Sequence, residues 1–78
     1  MSRRPERKPP KPVLTHSVRR TLDRVSRREP CRPESLSTAR AEMVRVMRNF
    51  GATTQVESAS GDFTRTAEAW WRLLGGLA

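Results

Sequence analysis

The best-specified element of the chain is the stretch from residue 33 to residue 51, PESLSTARAEMVRVMRNFG. Its apolar side chains recur at spacings of three and four residues, which is the pattern of one helical face. These side chains are Leu36, Ala39, Met43, Val46 and Phe50. Pro33 suits the first turn of a helix, where its missing N–H costs nothing, and Gly51 is a typical helix terminator. The pattern predicts a helix over residues 33–50, with Met47 beside its apolar seam.

Two further helices are predicted on either side of this element. Before it, apolar residues at helical spacing predict a helix over residues 14–28, with Thr15 or Ser17 as the cap. These apolar residues are Leu14, Val18, Leu22 and Val25. After it, Asp62 is a suitable N-cap for a helix over residues 63–75. Its apolar stripe consists of Phe63, Ala67, Trp70 and Leu74, with Trp71 beside it.

The segment between the second and third helices, residues 52–61, is small, polar and without helical period, ATTQVESASG. We expect a flexible connection there, with a strand at Thr53–Val56 as the other possibility. The predicted fold class is therefore all-α, a small three-helix arrangement over about residues 14–28, 33–50 and 63–75.

The first twelve residues, MSRRPERKPPKP, hold four of the six prolines and no strongly apolar side chain after Met1. Such a segment stays extended or disordered. The predicted organisation is therefore a disordered basic arm over residues 1–12, followed by a small helical domain over residues 13–78.

The apolar content is low for a domain that must fold alone. Apolar residues make up 35% of the 78 residues, and chains this short bury too little surface to be comfortably stable. We therefore expect a second copy of the chain, or another protein, to complete the core. The candidate interface side chains are Met43, Met47, Phe50, Trp70 and Trp71.

Charge is distributed unevenly along the chain, which carries 16 basic and 8 acidic residues. Residues 1–33 hold 11 basic and 3 acidic residues, whereas residues 34–78 hold 5 of each. Positive charge concentrated at one end is typical of a contact surface for an anionic partner. On the predicted first helix, arginines lie opposite the apolar stripe. The candidate nucleic-acid contacts are Arg3, Arg4, Arg7, Lys8, Lys11, Arg19, Arg20, Arg24, Arg27 and Arg28.

Nucleic acid is the partner that this pattern favours, because neutralising a row of phosphates releases counterions. DNA is favoured over RNA, and backbone contact over base reading. The aromatic residues lie in the neutral half, which disfavours a single-strand binder that stacks bases. The alternative is a protein adaptor or inhibitor that docks through its apolar helices while the basic arm meets an acidic surface. A membrane span is excluded, since there is no run of eighteen apolar residues. Peripheral membrane binding is disfavoured, because the first helix lacks aromatic anchors and the third has no basic residues beyond Arg65 and Arg72.

The chemistry of an enzyme is missing from the sequence. His16 and Cys31 are the only strong nitrogen and sulfur ligands, and two ligands do not complete a zinc site. There is no glycine-rich phosphate loop and no nucleophile motif. We therefore expect no catalysis, no metal and no cofactor. The single cysteine and the absence of an apolar leader predict an intracellular location, in the cytoplasm, the nucleoid or the nucleus.

The layout of a basic N-terminal arm followed by short helices resembles that of small nucleic-acid-handling proteins. Examples are the small DNA-packaging terminase subunits of phages with GC-rich genomes and short nucleoid-associated proteins. The resemblance is one of layout, and it implies a DNA-handling assembly without assigning roles to particular residues. A helix-turn-helix is disfavoured, because the predicted connections are longer than its three or four residues.

Overall fold

The structure, a computed structural model, describes residues 12–76. Its elements run in the order helix, helix, strand, strand, helix. Their bounds are α1 His16–Ser26, α2 Pro33–Phe50, β1 Gln55–Glu57, β2 Thr64–Thr66 and α3 Ala67–Leu73. Apart from Pro12, the predicted arm lies outside the described residues.

The first two helices form where the sequence predicts them. α2 has the predicted bounds, with Pro33 in its first turn and Gly51 at its end in the left-handed region, at φ 108°. α1 is shorter than predicted at both ends. Thr15, one of the two predicted caps, accepts a hydrogen bond from the Val18 N–H at 3.3 Å. This bond gives an acceptor to one of the first four N–H groups of the helix, which have none within the helix itself.

The prediction of an all-α fold is wrong, because residues 52–66 contain a β-hairpin. β1 and β2 pair antiparallel with the register Gln55↔Thr66, Val56↔Arg65 and Glu57↔Thr64. The Ser58 N–H donates to the Phe63 carbonyl oxygen at 2.9 Å and extends the pairing towards the turn. Gly61 lies in that turn at φ 79°, a conformation that glycine adopts without strain.

The third helix therefore begins later than predicted, at Ala67 instead of residue 63. Its N-cap is Thr66, whose hydroxyl accepts from the Ala69 N–H at 3.1 Å, and not Asp62. The β-branched residues Thr64 and Thr66 favour extended backbone, and the backbone of their strand pairs with β1. Phe63 precedes the strand and so does not belong to the helical stripe.

The core lies where α2, α3 and the hairpin meet the inner face of α1. Trp70 is fully buried, and its indole N–H donates to the Val56 carbonyl oxygen at 2.8 Å, which ties α3 to β1. The buried apolar side chains are Val18, Leu22, Ala39, Met43, Val46, Val56, Ala67, Trp70 and Leu74. Within residues 12–76, no helix is both long and apolar enough to cross a membrane.

Candidate nucleic-acid interface

The face of α1 that points away from the core is basic. Residues four apart lie on one side of a helix, about 6 Å apart along its axis. His16, Arg20 and Arg24 follow this spacing and are exposed, whereas Val18 and Leu22 are buried on the inner face. The helix therefore carries its apolar and basic residues on separate sides.

Asp23 is the one acidic residue of α1, and its carboxylate is turned inward. It is 8% exposed and accepts hydrogen bonds from the Ser60 N–H at 3.1 Å and the Ser60 hydroxyl at 2.8 Å. Burial raises the pKa of Asp23, but the hydroxyls of Ser58 and Ser60, the Ser60 N–H and the charge of Arg27 lower the pKa more. Its charge thus binds the hairpin turn and interacts with the charge of Arg27.

Two of the predicted contacts on α1 have partners within the fold. Arg19 donates to the Ser58 carbonyl oxygen at 3.1 Å and lies 3.9 Å from the Glu57 carboxylate. Arg27 lies 4.0 Å from the Asp62 carboxylate, with its guanidinium 5.6 Å from the centre of the Phe63 ring. Both side chains hold the hairpin against α1, so their charge is partly committed to the fold.

Most arginines elsewhere are also engaged. Arg40 donates to the Leu74 carbonyl oxygen at 2.8 Å, and Arg65 donates to the Ser26 hydroxyl at 2.8 Å while stacking on Trp70. Arg45 and Arg72 pair with acidic residues three and four positions away, Glu42 and Glu68.

The remaining arginines make no side-chain hydrogen bond or ion pair with any residue in the described part of the chain. They are Arg20, Arg24, Arg28, Arg32 and Arg48. All but Arg48 lie between residue 20 and residue 32, on α1 and the segment that leads to α2. The arginines without an internal partner are therefore concentrated in one part of the fold.

Three of these arginines line one concave site, which we call the α1–α2 cleft. It has a volume of about 450 Å³, and its basic lining consists of His16, Arg20, Arg24 and Arg32. Its other lining residues are Ser17, Thr21, Pro30, Cys31 and Ser35. Among residues 12–76, the lining thus contains no acidic residue and neither Phe nor Trp.

Arg28 is not among the cleft's lining residues, and its backbone conformation is unusual. It follows α1 in the left-handed region at φ 61°. The Arg28 N–H donates to the Val25 carbonyl oxygen and the Glu29 N–H to that of Arg24, at 3.1 and 2.9 Å. This is the hydrogen-bond pattern that closes a helix, and its left-handed position usually holds glycine. Arg28 thus places a positive charge at the end of the helix, although arginine disfavours a positive φ.

The other predicted site residues either lie outside the described part of the chain or pack in or at the core. The arm residues Arg3, Arg4, Arg7, Lys8 and Lys11 lie outside the described residues. Of the predicted interface side chains, Met43 and Trp70 are fully buried within the chain's own core. Half-buried at the edge of that core are Met47, Phe50 and Trp71.

Of the cleft's lining residues, sequence reasoning proposed only Arg20 and Arg24 as contacts, and among those it missed are His16 and Arg32. The signal for His16 was its position four residues before Arg20, in line with Arg20 and Arg24. Arg32 carried no comparable signal, because only the fold of the residue 27–32 connection brings it to α1. His16 and Cys31 line the same cleft, but among residues 12–76 no three His, Cys, Asp or Glu side chains are grouped to hold a metal ion.

No family model, no curated protein and no solved structure matches this chain. The site is therefore described from the residues of this chain alone.

Proposed function

We propose that the protein binds nucleic acid through its phosphates, with duplex DNA as the preferred partner. The observation that carries this proposal is a concentration of arginines at the outer face of α1 and the α1–α2 cleft, which have no side-chain partner among residues 12–76. Exposed like charges repel one another, so an anionic ligand stabilises such a cluster. The contacts would be Arg20, Arg24, Arg28 and Arg32, with the basic residues of the arm in addition.

The dimensions of the basic row suit a phosphate backbone. From residue 16 to residue 24, the row extends about 12 Å along α1. Each strand of a duplex presents one negative charge about every 3.4 Å along the duplex axis. The row is therefore long enough to lie beside about three phosphates of one strand.

The position of the aromatic side chains supports duplex over single-stranded ligands. Proteins that bind single strands stack bases on aromatic rings within a basic groove. Here Trp70 is buried and bonded to Val56, and no Phe or Trp lines the α1–α2 cleft. An adaptor that docks through apolar helices receives less support, because the exposed large apolar side chains of the described region are only Val13, Val44 and Leu73.

The experiment is a titration of a short DNA duplex at several salt concentrations. With six to eight phosphates neutralised, the logarithm of the binding constant falls with log salt at a slope of about −5 to −7. An RNA duplex and a DNA single strand of the same sequence serve as comparisons, and we expect both to bind more weakly. A slope near zero would exclude binding through phosphates, and tighter binding of the single strand would exclude the duplex preference.

This proposal implies an intracellular protein of the cytoplasm, nucleoid or nucleus, working within a DNA-handling assembly. A homo-oligomer or another protein partner stays a prediction from the sequence. Native mass measurement of the full chain tests it, since a monomer at working concentrations would exclude the homo-oligomer.

A further inference from the structure

The α1–α2 cleft combines cations from two separate elements around one concave space. The cations Arg20 and Arg24 come from α1, whose His16 also lines the cleft, and Arg32 is the residue immediately before α2. A flat basic face attracts phosphates anywhere along a strand. A concave group of guanidinium ions surrounds one phosphate instead, because each planar guanidinium can donate two parallel hydrogen bonds to its oxygens.

The polar groups at the start of α2 add to this arrangement. Ser35 lines the cleft from the first turn of α2, where backbone amides lack helical partners and the helix dipole is positive. Arg32 occupies the N-cap position and makes no capping hydrogen bond. The acidic residue of this turn, Glu34, is not among the lining residues of this cleft; it lines an adjoining, smaller cleft of about 130 Å³ that shares Ser17, Thr21 and Ser35 with it.

The size of the cleft indicates more than a bare ion. Its volume of about 450 Å³ lies within the range of roughly 300–1,000 Å³ that small-ligand sites occupy. Such a space is larger than a free inorganic anion needs, and it has room for a phosphate together with its attached sugar.

We propose that the α1–α2 cleft is a discrete phosphate site, which holds one phosphate group of a nucleic acid together with its attached sugar. Arg20, Arg24 and Arg32 bind the phosphate oxygens, and the Ser17 and Ser35 hydroxyls donate further hydrogen bonds. The nucleic acid as the source of the phosphate rests on the proposed function. The phosphate is either the terminal one of a strand or an internal one of its backbone, and the experiment below separates these sources.

Cys31 provides a direct readout of occupancy. It is the only cysteine of the chain, it is half-buried, and it lines this cleft. The full chain is treated with N-ethylmaleimide, an uncharged thiol reagent, and the rate of alkylation is followed by mass spectrometry. Ionic strength is kept constant with chloride, so that general screening does not change between samples.

Four ligands are compared: inorganic phosphate, a nucleoside 5′-monophosphate, and one short duplex with either 5′-phosphate or 5′-hydroxyl ends. A ligand at ten times its Kd leaves about one site in eleven open, so alkylation slows about tenfold. Protection by the 5′-phosphorylated duplex and the monophosphate alone supports a site for a strand end. Equal protection by both duplexes supports a site for an internal backbone phosphate.

A variant pair locates the protection. Arg32→Ala should raise the Kd obtained from protection about 1.5- to fivefold, because one exposed ion pair is lost. Arg48→Ala removes an equally unpartnered arginine from α2, outside the cleft lining, and should leave that Kd unchanged. Circular dichroism confirms that both variants remain folded.

The failures of the two proposals are distinguishable. If the duplexes bind with a steep salt dependence but no ligand protects Cys31, the phosphate site is overturned and the proposed function stands. If no duplex binds while inorganic phosphate or the monophosphate protects Cys31, the proposed function is overturned and the cleft is a site for a free phosphate compound. Equal weakening by Arg32→Ala and Arg48→Ala would also overturn the site, since binding would follow overall charge.

Discussion

Asp23 is the residue that separates the two faces of α1. Its carboxylate accepts two hydrogen bonds from Ser60, on the hairpin turn, and leaves Arg20 and Arg24 without an acidic neighbour on their own helix. Removing the partners of a buried, hydrogen-bonded carboxylate destabilises the fold, because the desolvation penalty of its charge is then no longer compensated. One side chain thus anchors the hairpin and leaves the outer face positive.

Asp23→Asn tests this role through the pH dependence of folding. The pKa of Asp23 in the folded protein lies below the ordinary value of 3.8, so its stabilisation is complete above that value and is lost as pH falls through the folded-state pKa. The variant should lower the free energy of unfolding by about 1–3 kcal/mol at neutral pH, because the amide replaces an acceptor by a donor facing Ser60.

Chemical denaturation of both proteins between neutral and acidic pH is the measurement. The difference between them should shrink as pH falls below 3.8. A difference that stays constant down to the acid limit would show that the Asp23 charge does not hold the hairpin.

At the scale of elements, α2 could be predicted to the residue, whereas the hairpin could not. The seam of α2, its Pro33 start and its Gly51 end are all local signals. The hairpin has strands of three residues, too short for an alternating pattern to emerge. Its stability depends on distant partners, such as the Trp70 indole bonded to the Val56 carbonyl oxygen, and a sequence window does not contain them.

The candidate site divides in the same way. The basic row on α1 follows from helical spacing, so Arg20 and Arg24 could be predicted as exposed cations. The sequence does not distinguish these two arginines from Arg19 and Arg27. Only the folded hairpin does so, because its Glu57 pairs with Arg19 and its Asp62 with Arg27. The cleft as a concave site also requires the turn that brings Arg32 beside α1.

The end of α1 offers a prediction in which stability and binding change in opposite directions. Arg28→Gly relieves a left-handed conformation, so the free energy of unfolding should rise by about 0.5–1 kcal/mol. The same change removes one phosphate contact and should make the salt slope of duplex binding shallower by about 0.9. Arg28→Lys keeps both the charge and the side-chain constraint, and should change neither quantity appreciably. Unchanged duplex binding by the glycine variant would exclude Arg28 from the interface.

At the scale of the whole molecule, the boundary in charge does not coincide with a boundary in the fold. The basic end extends to residue 33, yet Val18 and Leu22 within it are buried in the core. α1 therefore belongs to the core through one face and to the basic surface through the other. Removing residues 1–28 would therefore unfold the protein. To measure the electrostatic contribution of the arm to binding, only residues before Pro12 can be removed.

Deletion of residues 1–11 makes that separation. The deletion leaves every buried side chain of the described core in place, so the variant should still fold, and the change in its free energy of unfolding measures what the arm contributes. The deletion removes the basic residues Arg3, Arg4, Arg7, Lys8 and Lys11, which should make the salt slope of duplex binding shallower by up to about 4.5. A large loss of stability would show that the arm contributes to the fold, and an unchanged slope would exclude it from the interface.

The central claim is that Arg20 and Arg24, which have no side-chain partner in the described part of the chain, bind phosphates. The most direct measurement is the salt dependence of duplex binding by the double variant Arg20→Ala/Arg24→Ala, compared with the single variant Arg48→Ala. Two lost phosphate contacts should make the slope of log K against log salt shallower by about 1.8, whereas the control should keep the slope of the unmodified protein. If the double variant keeps that slope as well, or if Arg48→Ala reduces it to the same extent for each charge removed, the outer face of α1 is not the interface.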